Sequence, residues 1–245
     1  MLKNTMLITA LFLSSLSFAQ LNLPRESSFS QVKQTIGLTT VDLAYSRPNV
    51  KDRTILGGVV SYNEIWRTGA NENTTLDFSS DVMVDGQALP KGKYSIYTKF
   101  DRQFVEVYFY KKNDNWGNPE KWDENEVALK LKTRHYRANA FVESFTIDFS
   151  DVTTEEAKLN LSWGDTMLTL TITTPTHQTA LDEIRSKVNE NSSARDLYSA
   201  ANYYFMKGIE LQQAKKMVQN AIAKSGENVP TYFTELLEKI NKKLK

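Results

Sequence analysis

With 245 residues, 40% of them hydrophobic and 24% charged, the chain has the composition of a folded globular protein and room for one large or two small domains. Thirty Lys and Arg against 29 Asp and Glu leave a net charge of +1, which excludes a global field drawing the protein to nucleic acid. The absence of cysteine excludes disulfide staples, thiolate metal sites and a lipid carried on an N-terminal cysteine.

The first residues, MLKNTMLITALFLSSLSFAQ, combine an early cation (Lys3), an apolar run from Met6 to Leu13 and small residues, Ser17 and Ala19, just ahead of Gln20. This order predicts a secretory signal peptide over 1–19 and a periplasmic or secreted mature protein. The run is broken by Ser14, Ser15 and Ser17 and is shorter than the roughly 20 apolar residues of a span, so no membrane span is expected here or elsewhere.

From Phe29 the pattern has period two. Val32, Gln34 and Ile36 lead through Gly37 into Val41, Leu43 and Tyr45, which predicts a strand pair joined by a tight turn. Arg47-Pro48 ends the second strand, because proline donates nothing to a ladder. Residues 49–73 form a long connection, too apolar at Ile55, Leu56, Val59, Val60, Ile65 and Trp66 for a solvated loop, which predicts that it folds over a sheet edge or end. Alternation resumes at Leu76 and Phe78, Val82 and Val84, Tyr94 and Ile96, and Val105 to Phe109, with turn signals at Asp85-Gly86 and Pro90-Lys91-Gly92. After a polar loop over 111–126, further strands are expected around Val127 to Leu131, Phe145 to Phe149 and Leu159 to Trp163. A turn at Gly164-Asp165 would lead to a last strand at Leu168 to Ile172. The fold class is therefore mainly β, an antiparallel β-sandwich of about nine strands over 29–174.

The period changes after Pro175. A helix capped by Thr179 and Asp182, a second from Ser193 to Gly208, a third through Ala214 to Ile222 and a last one after Pro230 are predicted, giving an α-helical tail over 179–245. Leu197, Ala200, Ala201, Tyr204, Gly208, Ala214, Val218 and Ala221 give the tail a similarity to one tetratricopeptide repeat, with a turn one residue too long. A single repeat cannot bury its own face, so the hairpin must lean on the last helix, the β domain or another chain, and a protein partner at the tail is one expectation.

The richest stretch lies between Tyr45 and Tyr94: Tyr45 to Pro48 (YSRP), Lys51 and Arg53, Ile55 to Val60, Trp66 to Asn71 (WRTGAN) and the turn from Gly86 to Tyr94, followed later by Asn115-Trp116-Gly117 and Leu161-Ser162-Trp163. In this order the motifs resemble the bacterial DUF2911 family, a domain of unknown function. The resemblance covers about Phe29 to Thr173 and implies an exported, mostly β domain, with no activity attached.

Arg47, Arg53, Trp66, Arg67, Asn71 and Glu72 are the candidate ligand-binding residues, since guanidinium groups on one apolar connection suit a small anionic ligand held bidentately. The competing role is structural, with arginine satisfying loop carbonyls and carboxylates and Trp66 plugging the core. Arg67 is expected to be a buried structural donor whose removal costs roughly 3–5 kcal/mol. Trp116, Trp122, Tyr108 and Tyr110 suggest either a glycan-binding surface or loop packing. The acids Asp114, Glu120, Asp123, Glu124 and Glu126 lack the ligand spacing of a calcium loop, and His135 and His177 stand apart, so neither a metal nor another cofactor is predicted. No nucleophile or phosphate-loop motif is present, which favours a non-catalytic binding or scaffolding module of the cell envelope. The alternative is a carboxylate-based hydrolase of an exported polymer such as a polysaccharide, using Glu64 and Glu72.

Overall fold

The computed structural model describes residues 23–245, and the signal peptide expected over 1–19 lies outside the described residues. Ten strands follow one another: β1 (Ser28–Ile36), β2 (Thr39–Arg47), β3 (Thr75–Phe78), β4 (Val82–Val84), β5 (Gln87–Leu89), β6 (Gly92–Phe100), β7 (Phe104–Tyr110), β8 (Val127–Arg134), β9 (Tyr136–Ser150) and β10 (Glu156–Thr173). They form two antiparallel sheets, β1-β2-β3-β6-β7-β8 and β5-β4-β10-β9. The side chains between them make one apolar core running from Ile36 to Ile172, so the domain is a mainly β antiparallel sandwich followed by helices, as the alternation predicts.

Strand β2 shows why the pattern is reliable: Thr39, Val41, Leu43 and Tyr45 are buried while the residues between them are half-exposed, the signature of a strand with one face on the core. Strand β10 corrects the expected turn at Gly164-Asp165. Its buried residues are Ala157, Leu159, Leu161 and Trp163, then Leu168, Leu170 and Ile172, so the inward parity changes partway along one continuous strand. Gly164, at φ 61°, lies at irregularities in the pairing with β9. A bulge there inserts extra backbone and resets which residues face inward, and glycine tolerates the left-handed conformation. The sequence around a bulge and around a turn looks alike, because both need a residue free of Cβ strain.

The two sheets are sewn together where β2 ends. Beyond Arg47, the Pro48 carbonyl accepts from Phe145 N at 2.8 Å and Val50 N donates to Glu143 O at 2.8 Å, so the chain leaves one sheet and runs along β9 at the edge of the other. Proline is tolerated because only its carbonyl is used. Tyr45 reinforces the seam: its Oη donates to Ile147 O and accepts from Ile147 N, each at 3.0 Å.

Four helices complete the chain: α1 (Thr176–Lys187), α2 (Ala194–Lys207), α3 (Leu211–Lys224) and α4 (Thr231–Lys243). Helix α1 starts ahead of the expected Thr179–Asp182 cap, with Pro175 at its N-cap and no side-chain cap bond. Helix α2 begins and ends as predicted, with Ser193 Oγ accepting from Asp196 N and Gly208 closing the C-terminus at φ 70°. Leu197, Ala201, Tyr204, Ala214, Val218 and Ala221 are buried together with Leu181 of α1 and with Phe233, Leu236 and Ile240 of α4. The hairpin thus finds its missing surface within the tail: the flanking helices do what neighbouring repeats do in an array. Contact with the sandwich is narrow. The β1–β2 turn sits so close to α1 that a Cβ on Gly37 would lie 2.0 Å from Thr176 Oγ1, and Lys207 pairs with Glu155 at 2.6 Å.

Candidate functional site

The connection over 49–73 folds against the end of the sandwich. Trp66 exchanges two backbone hydrogen bonds with Thr98 of β6, at 2.8 and 2.9 Å, which adds a single rung to the sheet. Its indole stacks on Trp163 of β10 with centroids 5.5 Å apart and 12° between planes, and meets the edge of Phe145 at 5.4 Å. Trp66 is therefore a plug of the core, with its outer rim in a cleft. The next residues turn sharply. Thr68, fully buried at φ 54°, bonds Thr98 Oγ1 at 3.0 Å, and Thr74 Oγ1 donates to its carbonyl. Gly69 adopts φ 149° with Ser46 O only 3.1 Å from where a Cβ would stand. A β-branched residue in the left-handed region is rare and is retained only where the surroundings over-determine it.

This turn shapes a cleft of about 440 Å³. Of the six candidate residues, Arg53, Trp66, Arg67 and Asn71 line it together, joined by Lys51 and Trp163 and by Trp116 and Asn118 from the 111–126 loop. Arg53 is anchored through Nε to Val50 O (3.0 Å) and through Nη2 to Asn49 O (2.6 Å). Arg67 donates, among the described residues, only from Nη1, to Asn71 O at 3.1 Å. Among the described residues neither guanidinium forms an ion pair with a carboxylate, and each has N–H groups that no protein acceptor uses. A neighbouring void of about 20 Å³ beneath Trp66 and Trp163 is apolar and no larger than one water.

The other two candidates lie elsewhere. Arg47 is a seam residue, donating from Nε to Phe145 O at 2.9 Å and from Nη2 to Thr146 Oγ1 at 2.7 Å. Glu72 is bridged through its backbone to Trp116 and its carboxylate pairs with Arg25. Burial pushes the Glu72 carboxyl up, but its own backbone N–H and the Arg25 guanidinium outweigh this and hold it below the ordinary glutamate value. Glu64 is exposed and outside the cleft wall, so the cleft does not bring Glu64 and Glu72 together as a catalytic pair. Among the described residues no group of three or more His, Asp or Glu is placed to hold a metal ion.

The aromatic candidates separate. Tyr108 and Tyr110, with Tyr97, are buried on the outer face of the six-stranded sheet, where Trp122 covers them at centroid distances of 5.1, 4.7 and 5.5 Å. The 111–126 loop is pinned by that plug and by Asn118 Nδ2 donating to Ile65 O at 2.8 Å. Trp116 alone stays exposed, at 65%, and reaches the cleft. The chain ahead of β1 crosses the same wall: Arg25 lies over the Trp116 ring, Glu26 pairs with Lys51 at 3.5 Å, and Asn71 Nδ2 donates to Ser27 O at 3.2 Å. Spacing within 49–73 did not reveal Trp116, Asn118 or Trp163: Trp116 stood out as an aromatic candidate and, like Trp163, falls within the ordered motifs Asn115-Trp116-Gly117 and Leu161-Ser162-Trp163, whereas no sequence signal marked Asn118.

Residues 27–172, from β1 almost to the end of β10, match the family described as a protein of unknown function, DUF2911. The chain belongs to this family. No curated protein and no solved structure matches it. The DUF2911 domain contains all the cleft-lining residues except Glu26, and the four helices follow it in the chain.

Proposed function

We propose that this protein is an exported, non-catalytic binding module whose DUF2911 domain takes a small anionic ligand in the cleft beside Trp66. One observation carries the reading: Arg53 and Arg67 enter the cleft held by backbone carbonyls and without a carboxylate partner among the described residues. Arg67 is half-buried, where a structural arginine normally acquires a counter-charge because leaving it alone is costly, whereas Arg53 is exposed at the rim. Guanidinium groups with free N–H donors are the usual receptors for carboxylate or phosphate. The cleft volume falls within the roughly 300–1,000 Å³ of small-molecule sites.

The test is a thermal-shift screen of the mature protein against carboxylates, phosphates and sulfates. A true ligand at 100 times its Kd adds about 2.7 kcal/mol of stability. The double variant Arg53→Ala, Arg67→Ala is expected to lose that shift; a ligand whose effect survives in the double variant binds elsewhere and refutes the assignment. Export rests on the order of residues 1–19 and is tested by N-terminal sequencing of protein recovered from its native host, where Gln20 is the expected first residue and an intact Met1 overturns it.

A further inference from the structure

The cleft holds more than cations. Trp66, Trp116 and Trp163 share its wall, and Trp116 is mostly exposed. Three asparagines stand among them with half of each amide uncommitted. Asn71 and Asn118 spend their Nδ2 groups on Ser27 O and Ile65 O, while Asn49 spends its Oδ1 on Ser144 Oγ. Two amide oxygens and one amide nitrogen are thus left without a protein partner among the described residues.

An inorganic anion uses the guanidinium groups but gains nothing from the indoles and is repelled by the amide oxygens. A flat aromatic acid uses the indoles and leaves the amides unmatched. A hydroxylated ring bearing a carboxylate uses indole, amides and guanidinium groups together: its C–H face packs on the exposed Trp116, hydroxyls donate to Asn71 and Asn118, another oxygen accepts from Asn49, and the carboxylate meets Arg53 and Arg67. We infer that the ligand is an acidic sugar of the hexuronic-acid class, an inference that rests on the anion-binding reading of the cleft.

Isothermal titration of the mature protein with D-glucuronate, D-galacturonate and short oligogalacturonates, beside glucose, acetate and phosphate, tests it. At least one hexuronate is expected to bind about tenfold or more tightly than acetate, phosphate and glucose. Trp116→Ala should remove most of that preference while leaving the melting temperature of the unliganded protein within about 2 °C. Acetate or phosphate binding as tightly as every hexuronate, with Trp116→Ala silent, overturns the sugar assignment and leaves the anion cleft standing. Binding by none of the six probes overturns both.

Discussion

Arg47 and Arg67 offer an internal comparison, because they are the same residue type in one motif block with different work to do. Arg67→Ala removes a single hydrogen bond, Nη1 to Asn71 O at 3.1 Å, from a half-buried side chain with no carboxylate partner among the described residues. One such bond from a charged donor is worth roughly 1.5 kcal/mol, and the Asn71 carbonyl can be rehydrated at the cleft, so the whole cost is about 1–2 kcal/mol. The larger 3–5 kcal/mol expected for a buried, ion-paired arginine does not apply. Arg47→Ala breaks two bonds, to Phe145 O and Thr146 Oγ1, at the seam that joins β2 to β9. Each bond from a charged donor is worth roughly 1.5 kcal/mol, and the seam loses its clamp, so the cost is about 3 kcal/mol. Urea denaturation of both variants without ligand measures the difference, and thermal melts should show Arg67→Ala falling by roughly 3–6 °C for a chain of this size. Ligand binding should follow the reverse order, abolished by Arg67→Ala and spared in folded Arg47→Ala. An Arg67→Ala variant destabilised as much as Arg47→Ala would refute the reasoning and make Arg67 a structural residue.

Glu106 accepts from Lys99 (2.7 Å), Lys130 (2.9 Å) and Tyr108 Oη (2.6 Å); burial opposes its charge, but these partners hold its carboxyl down to about 2. A depressed folded value means that its stabilisation is complete above the unfolded value near 4.5 and is lost as pH falls toward 2, so wild type should exceed Glu106→Gln by up to about 3 kcal/mol at pH 7 and converge with it near pH 2; a constant gap across that range contradicts the ion-pair account. Gly37→Ala should cost more than about 2 kcal/mol, because φ is 58° and a Cβ would stand 2.0 Å from Thr176 Oγ1 and 2.1 Å from Thr154 O; an unchanged melting temperature would show that the β1–β2 turn does not abut α1 as described. Trp122→Ala should cost roughly 2–3 kcal/mol by uncovering Tyr97, Tyr108 and Tyr110, and near-ultraviolet circular dichroism should register the loss; a change below about 0.5 kcal/mol refutes its role as plug.

The local order of residues determined the classes of structure by itself. Alternating Val41, Leu43 and Tyr45 cannot bury one face except as a strand, Ser193 with Asp196 caps a helix wherever it lies, and the run from YSRP to WRTGAN lies within the stretch that matches the family. These signals are legible because their physics acts over a few residues. What the tertiary structure decided is which side chains meet. Arg47 and Arg67 read alike in sequence, yet the crossing of the chain to β9 turns the first into a seam clamp while the second borders the cleft. Trp116 and Trp122 lie in one loop, and only the outer face of the sheet distinguishes the half-buried plug from the exposed ring. Trp66 meets Trp163 across nearly a hundred residues, and Gly164 is a bulge because β9 continues beside it. Such pairings depend on strand order and register, and those are set by the summed burial of the whole core, which no short spacing records.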